Sequence, residues 1–159
     1  MYIVGRRTGP GSSFLAVIIR QTGAAVTTFN TKPLPLAPDA TAPDGSDVRV
    51  LLSLAGGSLA HFELAAGQTS VAVAHRTVEE IWYFLDGQGE MWRKSGDRQE
   101  TVTVEAGVSL TIPLGTHFQF RSTGKQPLRA IGITMPPWPG DHEAFEVEGL
   151  WPPTVRRST

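Results

Sequence analysis

Short apolar runs separated by turn-forming clusters recur along nearly the whole chain. The runs include "VRVLLSL", "SLAHFEL", "TSVAVAH", "EIWYFLD", "GEMWRK", "ETVTV", "VSLTI", "HFQFRS" and "LRAIGIT", preceded by "FLAVII" and "AVTTF" near the N-terminus. Between them stand "PDATAPDGSD", "AGGS", "AAGQ", "DGQG", "SGDR", "EAG", "PLGT" and "STGKQP", whose Gly, Pro, Asp and Ser residues favour turns. Apolar and polar positions alternate in "ETVTV" and "HFQFRS", the two-residue period of a strand with one buried face. No run keeps a helical period over any length. Short strands at this spacing predict an all-β sandwich or barrel.

The ends are patterned differently. Residues 1–30 are expected to form an N-terminal extension that can serve as an edge strand, with the β-barrel over 31–134. The tail, 135–159, is rich in Pro and Trp and reads as an ordered strap rather than a strand, with Trp138 and Trp151 as apolar anchors. The arginines and apolar run of "GRRTGPGSSFLAVIIRQTGAA" loosely resemble an export signal. The apolar part stops at Arg20, however, short of the usual stretch of about 7–15 residues. A short edge strand or added leader is the reading adopted, with a cytoplasmic protein the expectation.

Composition narrows the function classes. The chain has 159 residues, 40% apolar and 18% charged, with a formal net charge of −1. One domain with a single core fits that length. No basic excess exists to hold nucleic acid, and no stretch approaches the ~20 apolar residues of a membrane span. Cysteine is absent, which removes disulfides, thiolate metal sites and thiol nucleophiles together.

Candidate chemistry concentrates in "GQTSVAVAHRTVEEIWYFLDG", where His75, Glu79 and Glu80 interrupt strand-forming residues. A glutamate beside an imidazole favours the charged form of each, whereas burial among apolar side chains favours the neutral forms. Such opposing effects suit proton transfer near neutral pH. Other candidates are His61 on a separate run and His117 beside Phe118. Asp141, His142 and Glu143 in the tail could cover a barrel mouth. Arg93 and Arg121 could meet an anionic substrate, although exposed arginine on a strand is the commoner outcome.

This stretch and "GVSLTIPLGTHFQFRS" together resemble the two motifs of the cupin family. Gly67, Val73-Ala74-His75, Glu80 and Gly87 match the spacing of the first motif, in which two histidines flank the middle position. Gly107, Pro113-Leu114-Gly115, Phe118 and Ser122 match the spacing of the second, which has His where Phe118 stands. The resemblance covers roughly residues 48–134. It implies a double-stranded β-helix, a jelly-roll barrel whose interior can hold a ligand.

In metal-binding cupins three histidines and the glutamate hold a divalent ion. Val73 and Phe118 occupy two of those four positions, and neither side chain has a lone pair to donate. The expectation is therefore no metal cofactor, with a divalent ion as the alternative, held by His75, Glu80 and one of Glu79, His61 or His117. The function expected first is a small-molecule enzyme for isomerisation, cyclisation or elimination. In it His75 is the acid or base, Glu80 orients it, and Trp82, Phe84, Phe118 and Phe120 form pocket walls for an aromatic or polyketide-like ligand. A non-catalytic binding or sensing barrel and a divergent metal enzyme remain open. Exposed sheet edges further suggest a homodimer.

Overall fold

Strand direction and facing follow from the alternation seen in the sequence. The computed structural model describes residues 28–140 and 142–155; the N-terminal apolar runs up to residue 27, Asp141 and the last four residues lie outside them. The strands, in chain order, are β1 (Ala40–Thr41), β2 (Asp47–Leu54), β3 (Gly57–Leu64), β4 (Val73–His75), β5 (Glu79–Asp86), β6 (Gln88–Ser95), β7 (Arg98–Glu105), β8 (Ser109–Ile112), β9 (His117–Ser122), β10 (Leu128–Met135) and β11 (Ala144–Glu146). No helix occurs among the described residues.

Two antiparallel sheets result, ordered β1-β2-β3-β10-β5-β8 and β11-β4-β9-β6-β7. This is the double-stranded β-helix expected. Two local readings change. Ala40–Thr41, inside a segment rich in turn residues, pairs with β2, and the strap contributes a strand, β11, paired with β4. Three residues suffice for a strand where an open edge, that of β4, is waiting.

The core lies between the sheets. In β5 the burial alternates strictly, with Glu80, Trp82 and Phe84 inward and Glu79, Ile81, Tyr83 and Leu85 outward. The same sheet adds Leu64 and Ile112, and the facing sheet supplies Met91, Val104, Phe118 and Phe120, all buried. Each such side chain contributes about 1.5–3 kcal/mol by leaving water. Trp82 organises the centre: its ring stacks on Phe62 at 4.7 Å and meets Phe120 at 5.2 Å and Phe84 at 6.1 Å.

Glycine fixes two features of this frame. The four motif glycines, Gly67, Gly87, Gly107 and Gly115, all have positive φ, which other residues adopt only with strain, so the motif spacing is a spacing of turns. Gly132 on β10 lies under the aromatic stack, where a Cβ would meet Phe62 at 2.6 Å and Trp82 Nε1 at 3.1 Å. Any larger residue there would displace the Phe62–Trp82 pair.

Candidate functional site

A cavity of about 370 Å³ opens between the sheets at one end of the barrel. Its walls come from the 40–44 segment, β2, β3, β4, β5, Phe118 and the strap residues Pro137, Trp138, Gly140 and Ala144. His75, Glu80 and Asp44 are the titratable side chains facing it among the described residues. A mostly apolar hollow with a few placed polar groups is the usual form of a small-molecule site.

His75 and Glu80 meet in a way the sequence did not indicate. They do not sit on neighbouring strands joined by a tight link: β4 and β5 belong to different sheets, with residues 76–78 turning the corner between them. Both side chains therefore point into the barrel from opposite walls, with His75 Nδ1 3.9 Å from Glu80 Oε2. That separation is too long for a hydrogen bond, and Nδ1 is buried without a partner. Glu80 Oε2 instead accepts a hydrogen bond of 2.9 Å from Trp82 Nε1.

Burial decides the charge of this pair. It pushes the Glu80 carboxyl up to about 8, overcoming the Trp82 hydrogen bond, and the charge of Asp44 pushes the same way. It pulls the His75 imidazole down to about 4, only partly opposed by Glu143. Both groups are thus neutral near pH 7, a base without its proton beside an acid that keeps its own. The His75 ring is held edge-on by Phe118 at 5.3 Å and Trp138 at 5.4 Å.

The strap completes the site. Glu143 Oε1 accepts hydrogen bonds from the Thr77 and Val78 backbone N–H groups at 2.6 and 2.9 Å, and Oε2 accepts one from Thr77 Oγ1 at 2.8 Å. These bonds clamp the corner directly after His75. Trp138 is placed by its backbone N–H, which donates to Ser58 Oγ at 2.9 Å, and Ser58 Oγ in turn meets Thr134 Oγ1.

The remaining candidates fall elsewhere. Phe118 and Trp82 line the cavity, together with Phe62, whose facing was readable from the alternation in "SLAHFEL". Phe84 and Phe120 are not pocket walls: they lie two residues further along their strands and pack against Trp82 in the core. Glu79 is exposed on the outer face of β5. His61 is buried on the outer side of β3, opposite Arg49 and Ile131. His117 alternates away from Phe118. Arg93 is tied to Glu100 and Arg121 to Glu90, neither of them at the cavity. Asp44 was unrecognised because "APDGSD" has the composition of a turn whether or not it is buried.

Comparison with known proteins places this geometry. The cupin domain family matches residues 60–134. An uncharacterized protein of Methanocaldococcus jannaschii is 32% identical over 109 residues, 65% of this chain and 82% of that protein. The chain belongs to the cupin family.

Solved cupins of the same fold include a Klebsiella pneumoniae protein with a double-stranded β-helix domain. It has a TM-score of 0.55 at 16% identity, covering 65% of this chain and 85% of that one. Oxalate decarboxylase of Lactobacillus farciminis gives a TM-score of 0.58 at 20% identity over 65% of this chain, which spans 32% of that enzyme. That of Bacillus subtilis, which has Mn(II) centres, gives 0.58 at 19% over 70% of this chain and 30% of its own length. At these identities the likeness is one of fold.

The residues present do not fit the metal of such cupins. Val73 and Phe118 are paired directly across β4 and β9, both buried, at two of the four donor positions. Among the described residues no three His, Asp or Glu side chains converge as a metal would require. Two protein donors leave an ion mostly on water, a weak site for a transition metal.

Proposed function

We propose that this cupin binds a small molecule in the barrel cavity and moves a proton on it with the His75–Glu80 pair, without a metal. The observation that carries this reading is a buried imidazole and a buried carboxyl 3.9 Å apart and facing one cavity, where burial favours the neutral form of each. His75 takes a proton from one atom of the ligand and Glu80 returns one to another. The product is that of an isomerisation, cyclisation or elimination. Glu80 is then an acid in its own right, not only the orienting partner of His75. Oxalate, the substrate named for two of the solved relatives, is a poor candidate, because the cavity presents two carboxyls and no lysine or arginine among its described lining residues.

The long His75–Glu80 separation favours a second reading, a binding or sensing barrel with no turnover. A homodimer in the cytoplasm is part of the proposal too. It is supported by the apolar side chains of Ile81, Tyr83, Leu85 and Ile133 exposed on the outer sheet face, and by the lack of cysteine.

Metal analysis of protein purified without chelator, alongside His75→Ala, is the direct test. Trace metal in both, with a melting temperature unmoved by EDTA, is the expected result. Near one equivalent of a transition metal, lost in the variant, overturns the metal-free reading. Once a ligand is in hand, His75→Gln should lower turnover about 10²–10⁴-fold if the pair is catalytic. A wild type that binds but does not turn over selects the sensing barrel.

A further inference from the structure

The polar groups lining the cavity are unbalanced in charge. Asp44 is 4% exposed, and its Oδ1 accepts both the backbone N–H and the hydroxyl of Ser46, at 2.8 and 2.6 Å. Its Oδ2 has no hydrogen bond from the described residues, and Asp44 lines the cavity. Glu80 likewise keeps Oε1 free while Oε2 holds Trp82. Against these two acids the described lining offers one imidazole and no cationic side chain. The apolar walls combine the rings of Phe62, Trp82, Phe118 and Trp138 with aliphatic side chains such as Leu52 and Val73.

We infer that the cavity takes a small organic ammonium ion, its charged nitrogen on Asp44 and its apolar body against Trp82, Phe62 and Phe118. The inference rests on the reading of the cavity as a ligand site and names the ligand class for it. An anion entering here meets two acids with no counter-charge, so its desolvation goes unrepaid. An ammonium gains a charge-assisted hydrogen bond to Oδ2 and a favourable position over aromatic faces. Burial pushes the Asp44 carboxyl up against its Ser46 hydrogen bonds, and a cation bound beside it favours the carboxylate form. Asp44 is near enough for its charge to act on Glu80, so a nitrogen anchored on it lies in the same cavity as the His75–Glu80 pair.

Three probes of matched shape test this by calorimetric titration of the full chain at neutral pH: 2-phenylethylamine, 2-phenylethanol and phenylacetate. The amine is expected to bind at least about tenfold more tightly than the alcohol, and phenylacetate not at all. Asp44→Asn keeps Oδ1 as an acceptor for Ser46. It should lose about tenfold in affinity for the amine and leave the alcohol unchanged. Alcohol or acid binding as tightly as the amine overturns the inference while the ligand site stands, and so does an Asp44→Asn variant that weakens amine and alcohol alike. No binding of any probe at millimolar concentration overturns the ligand-site reading and this inference with it. The charge series on the unaltered chain decides the matter even where the variant does not fold.

Discussion

The barrel buries two histidines, each with a glutamate nearby, and the pair is instructive. On the outer side of the larger sheet, His61 lies among Arg49, Glu63 and Arg129. Glu63 receives Arg129 at 2.9 Å and Arg49 at 3.6 Å, and the Pro35 and Leu36 carbonyls accept from Arg49. Burial, then the Arg49 guanidinium, hold the His61 ring below its usual value. The charges there have opposite partners, and His61 does not line the cavity between the sheets. On the inner side His75 faces a hollow, with aromatic rings on two flanks and an unpaired acid opposite. Both imidazoles have a buried, unpartnered Nδ1, so burial alone does not mark a working residue. What separates them is whether the neighbouring carboxyl is already satisfied and whether a ligand has room to arrive.

The largest effect should come from the ring that builds the inner environment. Trp82→Ala should destabilise the protein by about 3–5 kcal/mol in urea unfolding and abolish probe binding. Its outer counterpart, Glu63→Ala, breaks partly exposed ion pairs and should cost about 1 kcal/mol or less. Equal losses would erase the distinction between the two faces. Next, Glu143→Gln removes the charge from the clamp on residues 76–78 and turns one acceptor into a donor. It should cost about 1–3 kcal/mol and weaken ligand binding through His75. A stability loss with binding intact would show that the corner does not position the imidazole.

The pH dependence separates the inner pair from the outer cluster more gradually. Glu80 at about 8 lies above its ordinary 4.5, so the native state holds that proton more tightly. The resulting stability is full below 4.5 and is lost as pH rises through 8. His75 at about 4 lies below its ordinary 6.5, so its contribution is present above 6.5 and is lost as pH falls through 4. The two slopes oppose each other between 4.5 and 6.5. Above 6.5 Glu80 acts without that opposition, and stability should fall by up to about 1.4 kcal/mol per pH unit until pH 8. Glu80→Gln should flatten that limb in pH-dependent urea melts. An unchanged limb would mean that Glu80 is ionised in the native protein.

Much of the fold was legible because turns and alternation are local. The four motif glycines stand where the chain needs positive φ, and Val73 opposite Phe118 follows from the spacing of the two motifs. The site was less legible because it depends on which groups burial brings together. His75 and Glu80 are close in sequence, yet they meet across the barrel and not along a hairpin. Phe84 and Trp82 share a face of β5, but only depth along the strand separates wall from core. Asp44 carries no sign of burial in "PDGS", since an aspartate before glycine suits an exposed turn equally well. β11 escaped notice because its pairing partner supplies what its own short segment lacks.

One consequence follows from where the cavity's walls originate. The family match ends at residue 134 and begins at residue 60, yet Asp44 precedes it, and Trp138 and Glu143 follow it. The matched barrel supplies His75, Glu80 and most of the hollow, while the flanks supply Asp44, Trp138 and the Glu143 clamp. Two such barrels could diverge in what they accept by exchanging flanks alone, with every ladder of the sheets left intact. On the proposed reading, ligand choice in this protein rests largely on segments outside the matched domain.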